Sequence, residues 1–233
     1  MFKKLVITLG MLIASSNAFA AAEDDPLLYK VMIDQLEVRN AEDNNPLVWD
    51  ADLWIGKDLN KLWISTGGER VNGAVEEADI EFLYSRAIDT FWDFQIGWRH
   101  DLKPEPKRDW LALGIKGLAP YLFETDAKLY LDESGMVELK LTSEYEYMFS
   151  QKLVLSPEIE VALHNKDDEL VGIGAGLSEV ELGLRLRYEL RREFAPYIGV
   201  NWMRKFGQTA RYAENEGANT SETQFVVGIR AWF

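Results

Sequence analysis

The chain of 233 residues sets 25 Lys and Arg against 39 Asp and Glu, a formal charge of −14, and combines this with no cysteine and 12% aromatic residues. At 47% hydrophobic and 27% charged it is not a disordered chain, and a mean hydropathy of −0.19 is too polar for a helical membrane protein. The lack of cysteine removes disulfides, thiolate metal sites and cysteine nucleophiles, and the acid surplus repels phosphate backbones, so nucleic acid is not an expected partner.

Residues 1–20 begin with Lys3 and Lys4, run apolar from Leu5 to Ala14, and end in Ala18-Phe19-Ala20. This is the pattern of a secretory signal peptide cut after Ala20. The apolar stretch is too short to span a bilayer as a helix. Cleavage removes two lysines and no acid, leaving a net charge of −16. A short periplasmic segment, 21–27, then leads into a single domain, 28–233.

Along that domain the dominant pattern is period-two alternation broken by turn residues, the signature of strands. Twelve are expected, near 28–40, 46–56, 61–70, 74–86, 91–102, 108–118, 121–132, 136–149, 151–164, 177–191, 194–206 and 223–233. In 76–85, Ala78, Ile80, Phe82 and Tyr84 oppose Glu77, Asp79, Glu81 and Ser85. In 92–101, Trp92, Phe94, Ile96 and Trp98 oppose Asp93, Gln95, Gly97 and Arg99. Between 179 and 191 every second residue from Val180 to Leu190 is apolar, and those between are Glu, Gly or Arg. As a helix this segment would wrap charge around its whole circumference; as a strand it has one apolar and one charged face.

Most of these strands reach the roughly 9–11 residues that cross a bilayer at a tilt. The expected fold is therefore an all-β, antiparallel transmembrane barrel of about 12 strands, of the outer-membrane type. Counted from a periplasmic N-terminus, the short turns fall on one side and the two longest connections, Asn165–Gly176 and Gly207–Glu222, on the other, as such barrels require. Trp92, Trp98, Trp110, Tyr121, Tyr145, Tyr147, Trp202, Trp232 and Phe233 are read as interfacial aromatics contacting outer-membrane lipid. A last strand ending on Phe233 resembles the signal read by the barrel-assembly machinery, an expected partner.

With apolar residues toward lipid, the charged face lines the lumen. It carries Glu37, Glu77, Asp79, Glu81, Asp93, Glu124, Asp126, Glu138, Glu144, Glu146, Glu158, Glu160, Glu179, Glu181 and Glu189. The bases Arg99, Lys116, Lys128, Lys140, Lys152, Arg185 and Arg187 stand among them. Such groups either pair across a narrow bore, because unpaired buried charge is costly, or attract cations along it. Soft ligands are few, and alternation places Met136, His164 and Met203 on the luminal row near the outer rim, where they could form a weak Cu(I) site. Catalysis is not expected: His100 falls on the lipid-facing row beside Asp101, while Ser65 and Ser85, the available hydroxyls, fall on the other face.

Several blocks resemble the copper resistance protein B family. They are Val31–Glu37; Trp63 with Gly68-Glu69; Trp92–Asp101; Arg108–Glu124, which holds Gly114, Gly117 and Pro120-Tyr121; Gln151–Pro157; and Glu193–Val200 with Lys205-Phe206-Gly207. The resemblance implies an outer-membrane barrel that binds copper and works beside a periplasmic multicopper oxidase in copper tolerance. It also implies a Met/His-rich segment before the barrel, for which 21–27 leaves no room, so the copper affinity is expected to be low. The alternative is a structural or general cation-selective barrel without copper specificity.

Overall fold

The structure, a computed structural model, describes residues 25–41 and 45–233. The expected signal peptide, its cleavage position at Ala20 and residues 21–24 lie outside the described residues. The strands are β1 (Leu28–Asn40), β2 (Leu47–Gly56), β3 (Asn60–Val71), β4 (Ala74–Asp89), β5 (Trp92–Lys103), β6 (Arg108–Ala119) and β7 (Phe123–Asp132). They continue with β8 (Val137–Glu144, resuming at Tyr147–Met148), β9 (Leu153–His164), β10 (Gly176–Tyr188), β11 (Phe194–Lys205) and β12 (Ser221–Trp232). Each strand pairs antiparallel with its neighbours in sequence, and β12 pairs back onto β1, which closes the sheet into a 12-stranded barrel. The seam is completed by Val31 N–H donating to Phe233 O (3.0 Å) and Phe233 N–H to Val31 O (2.9 Å).

Burial along the strands is inverted relative to a water-soluble protein. On β10, Leu182 and Leu184 are 41% and 46% exposed while Arg185 and Arg187 are each 5% exposed. The charged residues are inside and the aliphatic ones outside, which suits a wall facing hydrocarbon. A closed barrel is also the one sheet arrangement that leaves no unpaired backbone edge in lipid.

Three local features depart from plain alternation. Between Ile33 and Gln35 the register of β1 shifts, so that Asp34 as well as Gln35 points inward. β8 is interrupted at Tyr145 and Glu146, with Tyr145 N–H donating to Pro157 O (3.0 Å). The last long connection contains a helix, α1 (Gly207–Asn215), that the alternation pattern gives no sign of. Trp110 is a correction to the expected aromatic girdle: it is 3% exposed, and its indole donates to Asp101 Oδ2 (2.7 Å) inside the barrel. It has the same parity as Ala112 and Gly114, so it belongs to the luminal row. Lys152 and Glu189, also expected on that row, lie just beyond the strands in the short-turn rim.

Gly97 on β5 is pressed against β4. A Cβ there would come within 1.9 Å of Phe82 O and 2.8 Å of Leu83 Cα, both backbone atoms. We expect Gly97→Ala to force β4 and β5 apart at a cost of roughly 1–3 kcal/mol, the usual range for overpacking. A unchanged urea midpoint for unfolding would show that the strands have slack there.

Candidate functional site

The lumen is organised by two walls of ion pairs. On the wall formed by β1 and β9–β12, the buried Glu37 carboxylate accepts from Arg39 Nε (2.8 Å), from Arg185 Nε and Nη2 (2.9 and 3.0 Å) and from the Tyr197 hydroxyl (2.8 Å). Arg185 also reaches Glu158 (2.6 Å), Arg39 reaches Glu181 (3.0 Å), and Arg187 pairs with Glu144 (3.3 Å) and with Glu146. Arg230 bridges Asp34 (2.7 Å) and Glu146 (2.9 Å). These guanidiniums present fixed forks of donors, which is why arginine holds the buried positions.

Across the bore, on β2–β8, the bases are mostly lysines. Lys128 and the Tyr130 hydroxyl both donate to Glu81 (2.7 and 2.5 Å). Lys61 binds Asp93 (2.9 Å), which also accepts from Ser85, and Lys116 lies 3.8 Å from both Asp52 and Asp126. Arg99 gathers Asp101 (2.7 Å), Glu138 (3.2 Å) and Asp79 (3.4 Å).

Between the walls lies a cavity of about 460 Å³ lined by ten carboxylates, from Asp34, Asp50, Asp52, Asp79, Glu81, Glu124, Asp126, Glu144, Glu158 and Glu160, against four bases, Arg99, Lys116, Lys128 and Lys140. A second space of about 170 Å³ opens beside it, adding Glu69, Glu77, Glu181 and Arg39. Among the described residues, the carboxylates of Asp50, Glu69 and Glu77 make no hydrogen bond or ion pair. The cavity therefore carries net negative charge that the walls leave uncompensated, a potential that concentrates cations.

The expected luminal residues divide accordingly. Glu37, Glu81, Asp93, Glu144, Glu146, Glu158, Glu160 and Glu181 sit in ion pairs with Arg99, Arg185, Arg187 or neighbouring bases, while Glu77 does not. Parity on β2 would also have given Asp50 and Asp52, since Ala51 and Leu53 alternate with them; Asp34 required knowledge of the shift in β1.

At the outer rim the three soft candidates have different surroundings. Met136 is wholly buried in an apolar cluster with Leu83, Trp110, Ala112 and Tyr130, against which Ile173 packs. His164 places Nδ1 2.7 Å from Ser178 Oγ and Nε2 3.9 Å from Glu138 Oε2. Met203 stands on β11 opposite Glu181 and Glu222, several residues down the bore from His164. No cluster of three or more His, Cys, Asp or Glu with metal-binding geometry is present among the described residues. On the exterior, His100 Nδ1 lies 2.8 Å from Asp109 Oδ1 and the ring stacks on Trp98, while its chain neighbour Asp101 turns to Arg99 and Trp110. Ser85, bonded to Asp93, faces the lumen, as does Ser65.

Comparison with known proteins fits this architecture. A profile described as "Copper resistance protein B precursor (CopB)" matches residues 27–233. The chain is 41% identical over 213 residues to copper resistance protein B of Escherichia coli, covering 91% of this chain and 72% of that protein. It is 36% identical over 219 residues to a copper resistance protein B homolog of Pseudomonas syringae pv. tomato, covering 94% and 74%. Among solved structures, the NanC porin superposes with a TM-score of 0.59 at 12% identity, over 86% of this chain and 98% of that one, a likeness of fold alone. The closed barrel with its apolar exterior is an outer-membrane protein, and the chain belongs to the copper resistance protein B family.

Proposed function

We propose that this protein contributes to copper resistance by binding copper ions, or letting them pass, in its acidic lumen, as a non-catalytic barrel. The observation that carries this reading is the luminal cavity with ten carboxylates against four bases. Such a surplus attracts cations of any kind, and Met136, His164 and Met203 are the groups with the softness to prefer Cu(I) over hard ions. A periplasmic multicopper oxidase would serve as the partner that handles Cu(I) on the inner side, and a C-terminal strand ending in Phe233 would be handed to the barrel-assembly machinery.

Deleting the gene should lower growth across a copper series, with growth restored by the wild-type copy. The His164→Ala, Met136→Leu double variant should restore less than the wild type while assembling at the same level. Equal restoration by the double variant would remove these residues from the function. The competing reading, a barrel whose charges serve only to hold it together, is favoured by the extensive pairing around Arg185 and Arg99. It predicts full restoration by any variant that assembles.

A further inference from the structure

The longest connection but one, 165–175, keeps Leu170 exposed at its tip and turns its second half back over the mouth. Asp168 pairs with Arg108 at the start of β6, and its N–H donates to Ile173 O at 2.7 Å, so the segment is a closed loop on itself. Ile173 packs on the apolar cluster that holds Met136. Gly174 N–H donates to Thr209 Oγ1 on α1 (2.8 Å), and the fit is close enough that a Cβ on Gly174 would meet Gln208 Cβ at 2.5 Å. Two glycines with positive φ, Gly172 (69°) and Gly176 (89°), bracket the part that turns inward. Positive φ is open to glycine at no cost, so both positions can act as pivots.

The segment also reaches His164. Ser178 Oγ has two backbone carbonyls to donate its one proton to, Gly174 O at 3.0 Å and Gly176 O at 3.5 Å, and we assign it to the nearer. The imidazole Nδ1, 2.7 Å from the same oxygen, is then the donor, and Nε2 keeps its lone pair. A neutral imidazole with Nδ1–H held by an outer partner is the form in which Nε2 binds a metal. We propose that 173–175, pivoting at Gly172 and Gly176 and latched by Asp168, is a lid that closes over the Met136 cluster and, through Gly174 and Ser178, fixes the His164 tautomer with the Nε2 lone pair, 3.9 Å from Glu138 Oε2, open to a soft metal ion. The metal part rests on the copper reading given above; the lid itself does not.

The native chain has no cysteine and two histidines, which makes both parts testable in the full-length protein. A single Ala112→Cys, placed in the cluster beneath Ile173, reports access from the mouth to a membrane-impermeant thiol reagent. It should label slowly, and at least tenfold faster when Asp168→Ala or Ile173→Gly is added. Equal rates in all three proteins overturn the lid. In His100→Ala, whose one imidazole is His164, the ¹⁵N shifts should show protonation at Nδ1, lost in the Ser178→Ala variant; an Nε2–H imidazole in the parent overturns the tautomer assignment. Cu(I) added from a competing chelator should leave the Ile173→Gly protein at least tenfold faster than the wild type. If labelling responds to the lid variants but the wild type retains no Cu(I), the lid stands and the copper reading falls.

Discussion

Glu37→Ala is expected to destabilise the folded barrel by about 3–5 kcal/mol, the range for breaking a buried, hydrogen-bonded ion pair from one side. The carboxylate is fully buried and receives four charge-assisted hydrogen bonds, three of them from Arg39 and Arg185. Its removal leaves two guanidiniums facing one another, Arg185 held by Glu158 and Gln35 and Arg39 by Glu181. Glu37→Gln, which keeps an acceptor for Tyr197 and one arginine, should fall between. Unfolding in urea, followed by the heat-modifiable mobility of the barrel, measures both. Equal midpoints for wild type and Glu37→Ala would mean that water reaches the site and screens the two arginines.

The second large effect is on the field in the bore. Asp50→Asn combined with Asp52→Asn removes two charges from the cavity wall, one of them without any partner. A unit charge roughly 5 Å from a passing ion, at an effective dielectric near 20, is worth about 3 kcal/mol. If water and the facing bases leave about 1 kcal/mol of that, the cation-over-anion permeability ratio in planar bilayers drops about fivefold. Folding should be little affected, because Asp50 holds no other group in place and Lys116, 3.8 Å from Asp52, keeps Asp126 at the same distance. A ratio unchanged by the double substitution would show that cations do not approach this part of the wall.

These effects rest on residues that differ in how far the sequence exposes them. Strand positions and the sense of each face follow from strict alternation: Phe82 and Tyr84 outward, Glu81 and Ser85 inward, with bounds within a few residues throughout. The same rule gives Arg185 and Arg187. It fails where side-chain chemistry and position disagree. Trp110 suits a membrane interface by composition, yet its indole nitrogen finds Asp101 inside. Asp34 turns inward through a register shift that local sequence does not announce. The partners of each luminal charge lie far apart in sequence, as with Gln35 and Glu158 or Arg99 and Glu138, so which carboxylates remain uncompensated depends on strand stagger around the whole circumference. The folding of 165–175 into the mouth is tertiary in the same way: Asp168 and Ile173 carry no local pattern that points to Arg108 or to the Met136 cluster.

The seam between β1 and β12 has a consequence for how the wall enters a membrane. Its ladder runs from Met32 opposite Trp232 to Asn40 opposite Phe225, joining elements from the two ends of the described chain. In hydrocarbon each unpaired N–H or C=O costs several kcal/mol. An eleven-stranded fragment that cannot reclose would expose two full rows of such groups at once. Insertion is therefore cooperative over all twelve strands: loss of a hairpin should abolish the inserted form altogether rather than yield a smaller ring in proportion, and a shortened wall would have to find a new stagger before it could exist in lipid at all.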